Sequence, residues 1–230
     1  MPRLYNTVAD AARCLRRGGA LIFPTETFYA LGCLALDATT VARIYRIKRR
    51  SPMQPLPLLA ANKEQAAQAA YLEIVPQGLF EQFWPGPLTV LLPALPALPA
   101  PLVNNEGKAA VRVSPYRQAA ELARLAGGVL TASSANQHGR PPACRLLDID
   151  PQLLLALEQD EQDEQNERGE QNGGEAGVFE GDIAPAGGLP STLVEPLLST
   201  EQGKPCLRLV RAGAVSVEVI ESAGFRVRFA

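Results

Sequence analysis

Apolar positions along this chain change their spacing many times, and each change predicts an element. Val8, Ala11, Ala12 and Leu15 recur at helical spacing until Gly18-Gly19 breaks the pattern, which predicts a helix over residues 7–17. The continuous run Ala20 to Phe23 reads as a buried strand closed by Pro24. Val41, Ile44, Tyr45 and Ile47 make the stripe of a second helix, capped by Asp37 or Thr39 and ending in Lys48-Arg49-Arg50. Leu56 to Ala60 predicts a strand that Pro57 pushes towards an edge or a bulge. Asn62 can cap a helix to about Tyr71, and a shorter one over 76–84 stops at Pro85-Gly86-Pro87. Strands are expected over 88–92, 109–113, 129–131, 178–183, 191–194, 206–210 and 225–229, with helices over 115–125, 148–157 and 215–222.

Two stretches carry no period. Residues 93–102 alternate proline with Ala and Leu, which forbids a helix and predicts an extended surface segment. Residues 158–174 contain no apolar side chain to bury. They read as a disordered loop or at most a solvated helix extension, an acidic insertion at about 158–175 with no chemistry of its own. Strands and helices mix without a βαβ period, and several strands are joined by short turns. The expectation is one α/β domain over 1–230: a twisted open sheet of mixed parallel and antiparallel strands flanked by helices.

Composition narrows the function classes. With 47% apolar and 20% charged residues the chain is an ordinary globular one. Its net charge of −2 conceals the acidic insertion, so the remainder is mildly basic and suits anionic ligands. Cys14, Cys33, Cys144 and Cys206 form no C-x-x-C pair and stand beside a single histidine, which argues against a metal site and fits a reducing compartment. No apolar run reaches membrane-spanning length and the N-terminus lacks an apolar leader, so a cytoplasmic protein without a membrane partner is expected. No phosphate-binding G-x-x-x-x-G-K-[ST] loop, dinucleotide G-x-G-x-x-G or nucleophile elbow G-x-S-x-G is present. His138, alone in a proline-flanked loop, makes a poor triad member.

What remains is a set of hydroxyls and cations near strand ends: Thr25, Lys48, Arg50, Arg112, Ser134, Asn136, Ser191, Thr192 and Arg211. A polyphosphate needs such groups, since guanidinium grips phosphate through two donors, ammonium acts as a point charge, and Ser or Asn adds single hydrogen bonds. Arg112 stands between Val111 and Val113 and wants an anion if it faces inward. Lys48 and Arg50, two apart, would share a face in an extended chain.

In order, the chain holds Phe23-Pro24-Thr25-Glu26-Thr27 with Leu31-Gly32, Lys48-Arg49-Arg50 and Trp84-Pro85-Gly86-Pro87-Leu88-Thr89. Val111-Arg112-Val113, Ser134-Ala135-Asn136, Gly188-Leu189-Pro190-Ser191-Thr192 and Arg211-Ala212-Gly213 follow. This succession resembles the YrdC/TsaC family, the threonylcarbamoyl-AMP synthases, from residue 8 to about 215. The resemblance implies a nucleotidyltransferase that joins L-threonine, bicarbonate and ATP, with Mg²⁺, into threonylcarbamoyl-AMP and pyrophosphate. The product would pass to a tRNA threonylcarbamoyl transferase complex. By the same resemblance Thr25, Arg112 and Ser191 would bind L-threonine. Lys48 and Arg50 would be catalytic, facing the ATP phosphates together with Ser134, Asn136 and Arg211, while Ala132 and Pro142 would offer backbone contacts to the nucleotide. Lys108 stands where the family often places a Thr beside ATP. Ala30 replaces a family glycine, Gln137-His138-Gly139 replaces Leu-Ser-Gly, and the extra C-terminal domain of longer relatives is expected to be absent. Two alternatives stay open: a different carbamoyl-adenylate reaction, and an RNA-binding module, with weak tRNA binding, built on Arg43, Arg46, Lys48, Arg49 and Arg50.

Overall fold

A computed structural model describes residues 2–137, 139–168 and 174–229. The first half contains β1 (Arg3–Tyr5), α1 (Val8–Arg16), β2 (Ala20–Pro24), β3 (Tyr29–Gly32), α2 (Ala38–Lys48), β4 (Leu58–Ala60), α3 (Lys63–Ala66), α4 (Leu79–Phe83), β5 (Leu88–Pro93) and β6 (Lys108–Val113). The second half contains α5 (Arg117–Ala126), β7 (Leu130–Thr131), β8 (Ser133–Ser134), α6 (Pro151–Arg168), β9 (Ala176–Phe179), β10 (Thr192–Glu201), β11 (Lys204–Arg211), α7 (Val217–Ser222) and β12 (Arg226–Phe229).

The strands form a five-stranded sheet, β1-β9-β2-β3-β8, and a seven-stranded sheet, β12-β11-β10-β5-β6-β4-β7. Both mix directions, as expected: β2 runs antiparallel to β3 and parallel to β9, and β5 antiparallel to β6 and parallel to β10. The sheets meet where residues 33–35 pass residues 129–131. There Thr131 N–H donates to the Cys33 carbonyl and Ala35 N–H to the Val129 carbonyl, each at 2.8 Å. A Cβ at Gly32 would collide with the Thr131 carbonyl oxygen, which is why this seam takes glycine.

Cap chemistry settles the helix starts. Thr7 Oγ1 accepts from Asp10 N–H, and Asp37, not Thr39, caps α2 by accepting from Thr40 N–H. α1 and α5 bury Leu15 and Leu122 against Leu21 and Leu59, and α2 buries Val41, Ile44 and Ile47 in the larger core.

Four expectations are corrected. The Asn62 helix stops at Ala66, because Ala69 and Tyr71 pair their backbones with Leu95 and Pro93 instead. The same pairing draws the proline-rich stretch inward, where Leu98 and Leu102 are buried, so it is no surface segment. Pro57 lies just before β4, which is an interior strand between β6 and β7, and its carbonyl accepts from Ala132 N–H. The acidic run is not a solvated appendage in its described part. Helix α6 continues to Arg168 and buries Asp160 and Glu164 against Arg43, itself only 1% exposed. Residues 169–173 of that run, and His138, lie outside the described residues.

Three strands went unforeseen. β1 is too short to register as a period, β3 hides behind the polar Thr25-Glu26-Thr27 turn although Tyr29 and Leu31 alternate correctly for a strand, and β8 is a two-residue strand inside a stretch that reads as a polar loop.

Candidate active site

The β2–β3 turn forms one wall of a cleft of about 200 Å³, open to solvent at its mouth. Thr25 closes this turn: its hydroxyl donates to the Phe28 carbonyl at 2.8 Å, and its N–H donates to the same oxygen at 3.1 Å. Thr25 and Thr27 reach the lining, as does the methyl of Ala30, which sits in extended β3 and so replaces glycine without strain. Opposite, Arg112 projects from β6 and Ser191 lies just before β10, its hydroxyl 2.7 Å from that of Thr89. At the end of β11, Arg211 donates to the Ser191 carbonyl at 2.7 Å and to its hydroxyl at 3.2 Å.

Arg50 is the third guanidinium of the cleft, held by the Gln54 and Pro55 carbonyls. The chain reaches it through Arg49, which caps α2 in the left-handed conformation at φ 49°. That cap separates Lys48 from Arg50, so the two do not share the face an extended chain would give them. Lys48 is 3% exposed and donates to the carbonyls of Ser134 at 2.5 Å and Asn136 at 2.7 Å. It thus anchors the loop whose Ala132, Ser133 and Ser134 face the cleft and does not line the cleft itself.

Electrostatics follow from this convergence. Burial, then Arg112, then Arg50 lower the pKa of Arg211, and burial chiefly lowers that of Arg50. Burial, then Arg50, lowers Lys48 to about 7. No Asp, Glu or His side chain lines the cleft among the described residues. Arg112 is answered from behind, where Glu26 accepts from its guanidinium and, at 2.7 Å, from the Ser114 hydroxyl. The thiols of Cys14 and Cys33 are pushed up to about 12 by burial, which leaves them inert at neutral pH.

Thr25, Arg50, Arg112, Ala132, Ser134, Ser191 and Arg211 therefore converge on one cleft, and other candidates do not reach it. Lys108 is locked on the far part of β6 by Glu106 at 2.6 Å and Glu195 at 2.5 Å, so the cleft does not contain it. Asn136 is buried behind the wall, donating to the carbonyls of Gln137 and Arg140, and Pro142 is likewise outside the lining. Thr27, Thr89 and Ser133 escaped assignment; a hydroxyl inside the apolar run of β5 was the available signal for Thr89. Glu26, seen only as part of a motif, gains its partners through the fold.

The sequence profile of the Sua5/YciO/YrdC family, described as telomere recombination, matches residues 13–208. The chain belongs to this family. Within it, the threonylcarbamoyl-AMP synthase of Alkalilimnicola ehrlichii is 39% identical over 136 residues, covering 59% of this chain and 71% of the relative. That of Chromobacterium violaceum is 37% identical over 163 residues, covering 67% and 84%. The crystal structure of P. abyssi Sua5 complexed with L-threonine superposes with a TM-score of 0.75 at 27% identity, over 98% of this chain. This chain spans 62% of that larger Sua5 protein. The Sua5/YciO/YrdC profile embraces every strand that contributes to the cleft except the last residues of β11, where Arg211 stands.

Proposed function

We infer that this chain is an L-threonylcarbamoyladenylate synthase, forming threonylcarbamoyl-AMP and pyrophosphate from L-threonine, bicarbonate and ATP for tRNA modification. The carrying observation is the convergence of Arg50, Arg112 and Arg211 with the Thr25 and Ser191 hydroxyls in one cleft whose lining has no carboxylate. Arg50 and Arg211, with no carboxylate beside them among the described residues, repel one another until anions neutralise them; a triphosphate supplies those anions, while a substrate carboxylate takes the free edge of the Glu26-paired Arg112. The relatives' names support the same reaction, and the L-threonine in P. abyssi Sua5 supports the amino acid.

In this reading Arg112, Thr25 and Ser191 hold L-threonine. Its amine adds to CO2 with loss of a proton, or to bicarbonate with loss of water, to give a carbamate. A carbamate oxygen then attacks the α-phosphorus, the bond from that phosphorus to the bridging oxygen breaks, and pyrophosphate leaves. Charge builds on phosphate oxygens, so Arg50 and Arg211 contribute most by standing ready where it develops. Ser134 and Ala132 form the wall against the nucleotide, and Lys48 and Asn136 act by holding that wall. Lys108 is given no contact with ATP. Among the described residues no cluster of three His, Cys, Asp or Glu could hold a metal, and the cleft's donors are hydroxyls and guanidiniums. Magnesium would enter with ATP, as part of the MgATP substrate.

The RNA-module alternative has less support. Of its five basic residues, Arg43 and Lys48 are buried, and Arg46, although exposed, lies 3.4 Å from both Asp160 and Glu164, which leaves a smaller free patch on Arg49 and Arg50. Delivery of the product to a tRNA threonylcarbamoyl transferase complex remains part of the proposal, as does a cytoplasmic setting. No helix among the described residues is long and apolar enough to cross a membrane. The deciding assay is pyrophosphate release with each substrate omitted in turn. Release should stop without threonine, and indifference to threonine defeats the assignment.

A further inference from the structure

Arg112 reaches the cleft with part of its guanidinium already committed. One Nη1 donor meets Glu26, whose second carboxylate oxygen is taken by Ser114, while Nε and Nη2 carry no hydrogen bond among the described residues. Arg112 and Glu26 are 7% and 13% exposed at their side chains, and Glu26 is outside the cleft lining. The carboxylate is thus wedged behind the cation. The backbone holds it there: Glu26 sits in the β2–β3 turn, its carbonyl accepts from Ala186 N–H at 3.3 Å, and Gly187 N–H donates to Thr27 at 2.8 Å.

Arg50 and Arg211 have a different environment. Their donors go to backbone carbonyls and the Ser191 hydroxyl, with no carboxylate beside them among the described residues. The cleft therefore has one neutralised guanidinium and two uncompensated ones. A polyanionic phosphate gains most from the uncompensated pair. An amino acid brings a carboxylate with a cationic amine beside it, which three bare guanidiniums would repel. It gains from a charge-balanced Arg that still presents a free edge.

We propose that Glu26 is a positioning and specificity-determining residue that divides the cleft, making the Arg112 end selective for an amino-acid carboxylate and leaving the Arg50–Arg211 end for phosphate. The inference rests on the reading of this cleft as a site for L-threonine and a triphosphate. Glu26 acts through Arg112: it aims the guanidinium and lowers the positive potential around it.

Two ligands moving in opposite directions form the test. Dissociation constants for L-threonine and for inorganic pyrophosphate are measured by calorimetry on the full chain, for the wild type and for Glu26→Gln. The expected result is threonine weakened tenfold or more and pyrophosphate tightened about threefold, with Glu26→Asp recovering most of the threonine affinity. A Glu26 that merely supports the fold would weaken both ligands together, and that outcome overturns the proposal, as does a threonine constant within twofold of wild type. Ser114→Ala, which frees one oxygen of Glu26 and leaves Arg112 in place, guards against misfolding of the first variant. It should shift both constants in the same directions by two- to threefold, and an unchanged threonine constant in whichever variant folds rejects the idea. A wild type that binds no threonine would instead bring down the functional reading underneath.

Discussion

Replacing Arg43 by methionine tests the least expected contact in the molecule. Arg43 is 1% exposed on α2, and its Nε donates to Asp160 at 2.8 Å with Nη2 2.7 Å from the same carboxylate. Its other donors serve the Gly18 carbonyl at 2.7 Å and the Gly174 carbonyl at 3.0 Å, and Glu164 lies 3.7 Å away. Arg43→Met leaves two buried carboxylates and two backbone oxygens without that cation. Breaking a buried ion pair from one side costs about 3–5 kcal/mol. Arg46, 65% exposed and 3.4 Å from both carboxylates, remains as a partial substitute and holds the figure near ~4 kcal/mol. For a chain of this size that lowers the melting temperature by about 8–16 °C. Thermal unfolding followed by circular dichroism reads the shift, with the exposed Asp163→Asn on the same helix expected to stay within about 0.5 kcal/mol of wild type. Equal melting of Arg43→Met and wild type would mean that the acidic helix is not anchored at Asp160, and the account of α6 would fail.

Two further outcomes follow from the cleft. Arg50→Ala should weaken ATP by about 2–4 kcal/mol in calorimetry while threonine changes much less; comparable losses for both ligands would contradict the division of roles. Lys48 titrates near 7 when folded and near its ordinary value of 10.5 when unfolded, so between those pH values the unfolded chain holds the extra proton and stability rises with pH. Lys48→Met removes this contribution, and its melting temperature should climb less than that of the wild type between pH 7.5 and 9.5, whereas parallel slopes would count against the buried amine.

The amino-acid order alone determined the mixed α/β class, most helix starts and the segments that carry the cleft, because apolar period and cap chemistry act over a few residues. Val41, Ile44 and Ile47 announce α2, and Asp37 its start, without help from the rest of the chain. The family likewise shows in motifs such as Phe23-Pro24-Thr25-Glu26-Thr27. Only the tertiary structure decided where the charges went. Lys48 and Arg50 look equivalent in the sequence, yet a left-handed Arg49 sends one behind a wall and the other into the cleft. Asp160 and Glu164 read as solvent-facing because no neighbour in sequence can hold them; Arg43, 117 positions from Asp160, does. A charged side chain is buried or exposed according to whether a partner from a distant segment meets it, since the cost of leaving water is recovered only at contact distance. Hydrophobic spacing carries its meaning locally, and ionic pairing acquires its meaning from the fold.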